Sequence, residues 1–373
     1  MTADRTRPDE PVDVRDVDVI APNFKRRLSG VTSTIIQLVP KQRAMGTRVA
    51  VVGPGLPDSL PTLRMRDLPR LWRAPGNAAV RVWHARRNVE MLPGGSLRDV
   101  LRMPLRLVFT SASQRRHTRW TKFLIRRMDA VIATSRRTAD YLEVENTVVM
   151  HGIDTDRFSP PADRTESRAA VGLDPARRYV GCFGRIRRQK GTDVFVDAMI
   201  AALPHHPDWS AVVAGRTTSW HAGFEEELGA RVSAAGLEDR ILFVGEHTAI
   251  HEWYKALDLF VAPQRWEGFG LTPLEAMACA VPVVATDVGA FSELVVDGVT
   301  GAIIPPGEAE AMAAAAAAYM SDDGKRQSAG REALLRARNE FPLEKEAEML
   351  ARIYARVASG AGSEAPASRR ANR

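Results

Sequence analysis

Short apolar runs alternate with helical patterns along most of the chain, most regularly after residue 178. Six runs there have the length of strands: YVGCFG (179–184), SAVVAG (210–215), RILFVG (240–245), LFVAP (259–263), VPVVAT (281–286) and GAIIP (301–305). Between the first two, TDVFVDAMIAAL places its apolar residues on one helical stripe. Continuous apolar strands separated by helices are typical of a parallel sheet covered on both faces.

The first half repeats this pattern less regularly, in VDVIAP (17–22), TRVAVVG (47–53), VRVWH (80–84), LRLVFT (105–110) and AVIATS (130–135). The sequence therefore predicts two doubly wound α/β domains whose carboxyl strand ends face each other across a cleft. The predicted segments are an extended or disordered N-terminus, two domains, a C-terminal helix returning to the first domain, and a disordered tail, at 1–16, 17–145, 146–340, 341–358 and 359–373.

The composition fits a soluble globular protein: of 373 residues, 45% are hydrophobic and 26% are charged. The polar N-terminus has no apolar leader, and no apolar run is long enough to span a bilayer. We therefore expect a cytoplasmic protein. Cys182 and Cys279 are too few and too isolated for a disulfide framework or a zinc cluster, so we expect both to be core residues.

Basic charge is concentrated in the first half of the chain. Residues 1–150 hold 27 Lys and Arg against 14 Asp and Glu, whereas the rest has a net charge of −6. The segment 64–137 has 18 basic and 4 acidic residues, a net charge of +14. Such a surface suits nucleic acid, an anionic membrane or a phosphorylated substrate, although a merely solvated arginine-rich surface is the alternative.

The stretch EGFGLTPLE (267–275) follows the apolar run LFVAP and contains two glutamates. Thr272 and Glu275 have the spacing of a capping box, and the following proline suits a first helical position, so a helix should begin here. The glycines before it, at 268 and 270, leave room for a phosphate at the helix start. Glu267 has no capping role and is predicted to face the cleft.

Two further loops suit phosphate binding. GRIRRQKG (184–191) follows an apolar strand, and its Arg185 and Lys190 are placed to neutralise a diphosphate. PNFKRRLSGV (22–31) follows the first predicted strand, and Gly30 there would open a helix and let backbone approach a phosphate from the other domain.

Three other patterns have little support. GPG at 53–55 lacks the helix and third glycine of a dinucleotide site, which disfavours a nicotinamide oxidoreductase. Asp154 and Asp156 could hold a divalent cation, but the neighbouring loops already supply positive charge. Trp72, Trp83 and Trp120 show no stacking pattern for nucleic acid.

These motifs together resemble glycosyltransferase family 4, retaining enzymes of the two-domain GT-B fold that use nucleotide-sugar donors. The likeness extends from about residue 17 to about residue 357 and rests on E-x7-E, on the GR-x4-KG loop and on HGIDTDRFSP (151–160), an interdomain motif. The stretches APNFKRRLSGVTSTIIQLVPKQ, VWHARRNVEM and VFTSASQRRHT look like those of alphaproteobacterial lipopolysaccharide-core mannosyltransferases.

The resemblance implies roles for individual residues. Glu267 would contact sugar hydroxyls and organise the transition state, and Glu275 would bind ribose. The diphosphate would be held by the following residues: Gly30, Arg185, Lys190, and the backbone near Phe269, Gly270, Leu271 and Thr272. The loop GEHTAI (245–250) would contact the base.

The first domain departs from the family pattern. Many members carry a histidine directly after a strand, where this chain has Thr110 and Ser111. His84 and His117 are the candidate substitutes. The candidate acceptor-binding residues are Arg86, Arg87, Arg115 and Arg116.

The sequence thus predicts a mannosyltransferase that uses GDP-mannose, no metal and no other cofactor. Its partner would be an anionic glycolipid of the lipopolysaccharide inner core, of the lipid A–Kdo type, met at the cytoplasmic face of the inner membrane, and it would bind no nucleic acid. Alternatives are a transferase using UDP-glucose or UDP-galactose on another envelope glycan, a nucleotide-sugar epimerase, a phosphorylase with the same layout, and a non-enzymatic basic binding protein.

Overall fold

The computed structural model describes residues 12–26, 30–217 and 222–360. The strands of the first domain are β1 Val19–Pro22, β2 Val49–Val52, β3 Thr62–Leu63, β4 Arg81–Ala85, β5 Leu105–Ser111, β6 Ala130–Ala133 and β7 Thr147–Val148. Its helices are α1 Gly30–Ala44, α2 Asn88–Gly95, α3 Arg119–Ile125 and α4 Arg136–Ala139, with 3₁₀ turns at Val14–Asp16 and Met65–Trp72 and a π-helical turn at Ser96–Val100. The central strands are apolar on both faces because helices cover both sides of the sheet.

The second domain repeats this architecture. Its strands are β8 Arg178–Phe183, β9 Trp209–Ala214, β10 Ile241–Gly245, β11 Leu259–Ala262, β12 Val283–Thr286 and β13 Gly301–Ile304. Its helices are α5 Arg164–Ala170, α6 Thr192–Ala202, α7 Ala222–Ala234, α8 Ile250–Lys255, α9 Thr272–Ala278, α10 Phe291–Leu294, α11 Ala309–Met320 and α12 Asp323–Glu340, with 3₁₀ turns at Arg188–Lys190 and Leu203–His205.

Both sheets are parallel and doubly wound. The first has the order β3-β2-β1-β4-β5-β6-β7 and the second β10-β9-β8-β11-β12-β13. The strand order reverses between β1 and β4 in one sheet and between β8 and β11 in the other. The predicted fold class of two doubly wound α/β domains is confirmed. Cys182 and Cys279 are buried, as predicted, and burial raises the pKa of each thiol to about 12.

The last helix, α13 Leu343–Ser359, packs against α1 and β4 of the first domain. Its apolar side contributes Leu350, Ile353 and Tyr354 to the core on one face of the first sheet. Lys41 on α1 forms an ion pair with Glu344 at 2.5 Å. The chain therefore crosses between the domains twice, near residues 149–158 and again near residue 341.

The segment boundaries differ from the prediction at two places. The two-residue strand β7 extends the first sheet to Val148, past the predicted boundary at 145, because a run this short has no pattern to detect. The predicted extended or disordered N-terminus includes a 3₁₀ turn at Val14–Asp16, which the Asp13 carboxylate caps and in which Val14 is buried. Residues 1–11 and 361–373 lie outside the described part of the chain. Within it, every helix is too short or too polar to cross a bilayer.

Candidate active site

Two loops meet at the point where the strand order of the second sheet reverses. Residues 184–191 follow β8 and residues 263–271 follow β11, and these two strands are neighbours. In open α/β sheets, ligands bind in the crevice at such a reversal, outside the carboxyl ends of the strands. The fold thus brings together two stretches that are far apart in sequence and that were each predicted to bind the donor.

Lys190 and Glu267 form an ion pair between these loops. Glu267 Oε1 also accepts a hydrogen bond from the Gly268 backbone N–H at 3.1 Å. The side chains of Lys190 and Glu267 are 23% and 18% exposed, so they are sheltered but reachable from solvent. An anionic ligand could therefore reach the lysine and compete with the carboxylate for it.

Close backbone packing fixes Glu267. A Cβ on Gly268 would lie 2.3 Å from the carbonyl oxygen of Ala112 in the first domain. Gly270 has a φ of +85°, and a Cβ there would lie 2.9 Å from Glu267 Cγ. Neither position has room for a side chain. The glycines thus let the loop touch the opposite domain on one side and hold the glutamate on the other.

Arg265 joins the two loops, and no motif indicated its role. Its guanidinium donates to both carboxylate oxygens of Asp193, at 2.7 and 3.0 Å, and to the Arg188 carbonyl at 2.7 Å. Its backbone N–H donates to the Gln189 carbonyl at 3.0 Å. Arg265 therefore fixes the loop that carries Lys190 against the loop that carries Glu267. A sequence pattern could not pair residues separated by about seventy positions.

Glu275 lies on α9 and accepts a hydrogen bond from the Tyr254 hydroxyl at 2.8 Å. Burial raises the pKa of Glu275, and the Tyr254 hydrogen bond partly offsets that effect. The Tyr254 ring packs edge-on against Phe183 at the end of β8, with 4.7 Å between ring centroids. The structure thus places Glu275 close to the same sheet edge as Glu267.

The predicted capping box is wrong. Leu271, not Thr272, is the N-cap residue of α9 and makes no side-chain cap, and proline is the second helical residue rather than the first. The Thr272 hydroxyl is buried with no hydrogen-bond partner among the described residues. Glu275 bonds to Tyr254 instead of to the helix start. Its position is thus explained by a tertiary contact, which local spacing could not reveal.

The remaining predicted donor-site residues lie around these loops. Arg185 is half-buried in the loop after β8. Phe269 is buried, and its ring lies edge-on to His151 of the interdomain segment, with 4.8 Å between centroids. Leu271 is half-buried against the core. Gly30 is the first residue of α1 and is exposed, and a Cβ at this position would have no atom within 4 Å of it.

The first domain has a basic cavity of about 600 Å³. Ala112 lines this cavity and also contacts Gly268, so the cavity lies beside the loop that carries Glu267. Its lining includes the four predicted acceptor-binding arginines and His117: Arg86, Arg87, Arg115, Arg116 and His117. Arg87 also holds the cavity wall, since it donates to Asn23 Oδ1 at 2.8 Å and to the buried Glu90 carboxylate at 2.9 Å.

His117 has a ring nitrogen suited to ligand binding. Burial and the charges of Arg115 and Lys122 lower its pKa. Its Nε2 atom is buried and has no hydrogen-bond partner among the described residues. His117 therefore keeps its place as a candidate site residue, at the cavity rather than at Glu267.

His84 lies in the core instead. Its Nδ1 and Nε2 atoms are each 2.7 Å from a hydroxyl oxygen, of Tyr354 on α13 and of Thr110 on β5 respectively. The side chain is 1% exposed. With both nitrogens occupied and no access to solvent, this geometry argues against the predicted catalytic role. We assign His84 the structural role of joining the C-terminal helix to the first sheet.

This placement has a measurable consequence for stability. Burial, with smaller effects from Arg86 and His151, lowers the pKa of His84 well below 6.5. Below about pH 6.5 the His84 imidazole is protonated in the unfolded chain but stays neutral in the folded protein, so the free energy of unfolding falls as pH falls. We expect protonation at His84 to lower the free energy of unfolding by up to about 1.4 kcal/mol for each unit that the pH falls.

Urea denaturation of the wild type and of His84→Gln, from about pH 7.5 to about pH 5, measures this contribution. The variant should be less stable throughout but should show a shallower fall, since it lacks this buried imidazole. Identical slopes would contradict a neutral, buried His84.

Further contacts join the two domains near the site. Arg137 on α4 pairs with Asp287 at 2.8 Å, and the Glu293 carboxylate accepts from the backbone N–H groups of Arg136 and Arg137 at 3.0 and 3.2 Å. Asp287 follows β12 at the same sheet edge. The second sheet therefore faces the first domain with its carboxyl edge.

The aspartates of the sequence Asp-Thr-Asp at 154–156 form part of a turn. Asp154 Oδ1 accepts from the backbone N–H groups of Asp156 and Arg157, each at 3.1 Å. This accounts for the triplet by local structure.

Comparison with known proteins identifies the family. Residues 163–336 match the family described as "Glycosyl transferases group 1". The chain is 68% identical to the lipopolysaccharide core biosynthesis mannosyltransferase LpsB of Rhizobium meliloti (strain 1021), over 92% of this chain and 98% of that protein. It is 56% identical to the lipopolysaccharide core biosynthesis mannosyltransferase LpcC of Rhizobium leguminosarum bv. viciae, over 92% of this chain and 97% of that protein.

A solved structure has the same fold. The crystal structure of Anabaena Alr3699/HepE in complex with UDP superposes with a TM-score of 0.79 at 21% identity, covering 91% of this chain and all of that one. This structural likeness supports the architecture, and the sequence identity to the two Rhizobium proteins supports the family. The chain belongs to the group 1 glycosyltransferases and is a glycosyltransferase of the GT-B fold.

Proposed function

We propose that this enzyme transfers mannose from GDP-mannose to the inner core of lipopolysaccharide, with retention at the anomeric carbon and without a metal. The acceptor would be a glycolipid of the lipid A–Kdo type at the cytoplasmic face of the inner membrane. The names of the two Rhizobium relatives support the sugar and the pathway. The observation that carries the proposal is the exchangeable pair of Lys190 and Glu267 at the sheet edge that faces the first domain.

In the proposed donor complex, the diphosphate replaces Glu267 as the partner of Lys190, with Arg185 beside it. The freed Glu267 carboxylate then accepts hydrogen bonds from the sugar hydroxyls. Glu275, oriented by Tyr254, accepts from the ribose hydroxyls. One side chain thus serves the sugar and another serves the nucleoside, with the phosphate-binding backbone of residues 269–272 between them.

The transfer step breaks the bond between the anomeric carbon and the diphosphate oxygen, and the electron pair leaves with GDP. The acceptor hydroxyl attacks from the same face, and its proton passes to the departing diphosphate oxygen. Lys190 and Arg185 stabilise the charge that develops on the leaving group. No protein nucleophile is needed on the opposite face.

The basic cavity of the first domain is the proposed acceptor site. An inner-core glycolipid carries carboxylate and phosphate groups, which suit the guanidinium groups of Arg86, Arg115 and Arg116. The buried Nε2 atom of His117 is placed to donate to such a group or accept from a hydroxyl. The cavity meets the donor loop at Ala112, so an acceptor bound there approaches the sugar.

Incubation of the purified protein with one donor at a time tests the proposal. We expect GDP-mannose to be consumed in the presence of a lipid A–Kdo acceptor, and UDP-glucose, UDP-galactose and ADP-heptose to remain. Released nucleoside diphosphate should depend on acceptor, which separates transfer from epimerisation. Consumption of a UDP-sugar with GDP-mannose left intact would refute the mannosyl assignment while preserving the family.

A further inference from the structure

The first domain has an exposed apolar face. Among its large apolar side chains that are at least 43% exposed, six lie on adjoining elements: Trp72, Leu92, Val100, Leu101, Trp120 and Phe123. Val100 is the most exposed of them, at 75%. Single exposed apolar residues are ordinary, whereas a cluster of them indicates an interaction surface.

Packing makes this face continuous. The Trp72 indole N–H donates to the Leu101 carbonyl at 2.7 Å. α2, which carries Leu92, packs against the π-helical turn at Ser96–Val100 and against α3. On α3 the rings of Trp120 and Phe123 stack with 5.6 Å between centroids and 20° between planes. The six side chains therefore belong to adjoining elements on one side of the domain.

Positive charge accompanies the apolar face. Residues 115–127, which include α3, contain six Lys and Arg. Asp99 pairs with Arg127, and Glu143 pairs with Lys122 and Arg126, so these two carboxylates only partly offset the positive charge. Arg119 and Arg126 on and after α3 are exposed, and the Arg127 guanidinium lies 5.6 Å from the centre of the Phe123 ring. Aromatic side chains interleaved with cations are the combination that binds the interface of an anionic bilayer.

The same face adjoins the proposed acceptor site. Val89 on α2 and Thr118 at the start of α3 line the basic cavity, together with Arg115 and Arg116. A protein resting on a bilayer through this face would hold the cavity at the level of the lipid head groups. An acceptor whose acyl chains stay in the bilayer could then enter with its sugars alone.

We propose that this exposed apolar face docks the enzyme onto an anionic membrane, with Trp120 and Phe123 inserted at the interface. A second copy of the chain fits less well, because like charges would face each other around a symmetric contact. A nucleic acid would leave the exposed leucine and valine side chains without an apolar surface to pack against. The inference deepens the proposed function, since a glycolipid acceptor lies in a membrane, but its test requires neither donor nor acceptor.

Co-sedimentation of the full chain with vesicles tests it. The wild type should bind mixed phosphatidylglycerol–phosphatidylcholine vesicles, bind phosphatidylcholine alone weakly, and lose binding as salt rises. Trp120→Ala/Phe123→Ala should weaken binding about 10-fold or more, because two aromatic anchors are removed. Val100→Glu, on a separate element, should act in the same direction. Leu335→Ala is the matched control, since Leu335 is 51% exposed on α12 of the other domain.

The far-UV circular dichroism spectrum and the urea unfolding midpoint should be the same in all these variants, which shows that each is folded. Wild-type protein that fails to sediment with anionic vesicles, or a double variant that binds as the wild type does, would overturn the docking proposal. A wild-type dimer that the double variant cannot form, without vesicle binding, would assign the face to a second copy. Vesicle binding by a protein that consumes no GDP-mannose would refute the proposed donor alone.

Discussion

Glu267→Gln is expected to lower kcat by about 10²- to 10³-fold, the loss typical of removing one preorganised transition-state contact. Affinity for GDP should stay the same or increase. Glu267 pairs with Lys190, and a neutral glutamine would compete less well with the diphosphate for that lysine. Steady-state kinetics with GDP-mannose, together with calorimetric titration of GDP, measures both quantities.

Two comparisons make this result specific. Lys190→Met should weaken GDP binding, the opposite effect on affinity, although it breaks the same ion pair. Glu332→Gln, at an exposed site on α12, should change neither quantity. If kcat for Glu267→Gln stayed within a few-fold of the wild-type value, Glu267 would be a structural partner of Lys190 and not a residue of the reaction.

Glu275→Gln is expected to weaken donor binding by about 10- to 100-fold, the cost of replacing a charged hydrogen-bond acceptor by a neutral one. Its stability at neutral pH should be equal to or higher than that of the wild type. Burial raises the pKa of Glu275, so the folded protein binds this proton more tightly than the unfolded chain does. The stability gained from that proton is present at low pH and is lost as pH rises through the folded-state pKa.

Calorimetry with GDP and urea denaturation at two pH values separate these effects. Glutamine keeps an oxygen that can accept from Tyr254, and so preserves the local packing. Tyr254→Phe removes the donor of that hydrogen bond and should weaken nucleotide binding less than Glu275→Gln does. A marked loss of stability in Glu275→Gln with unchanged donor affinity would mean that Glu275 serves the fold.

The position of the two loops at the carboxyl edge of the second sheet was largely predictable, because each loop is a short stretch directly after a strand. Arg185, Lys190 and Glu267 follow β8 and β11, and parallel strands present their carboxyl ends at one edge. The first domain was less predictable. His84 closes an apolar run in sequence, yet its ring is enclosed by Tyr354, 270 positions later, and by Thr110. No local pattern distinguishes a buried histidine from a reactive one.

Arg265 and Tyr254 are residues of the site region that the sequence patterns did not identify. Arg265 fixes the loop of Lys190 by bonding to Asp193, and Tyr254 bonds to Glu275; each partner is distant in sequence, and neither residue belongs to a motif. The capping spacing of Thr272 and Glu275 was a local signal that a tertiary hydrogen bond overrode. Pairs of this kind depend on how helices pack onto the sheet, which hydrophobic periodicity does not specify.

The sequence alone determined two doubly wound parallel sheets, the loops that gather at the carboxyl edge of the second sheet, and the concentration of positive charge in the first domain. These follow from local properties: the length and polarity of apolar runs, and the residues that end them. Only the tertiary structure decided which carboxylate meets which cation, which histidine is enclosed, and which apolar side chains remain exposed beside the basic cavity. Those outcomes depend on contacts between segments far apart in the chain, and burial then fixes the charge and access of each group.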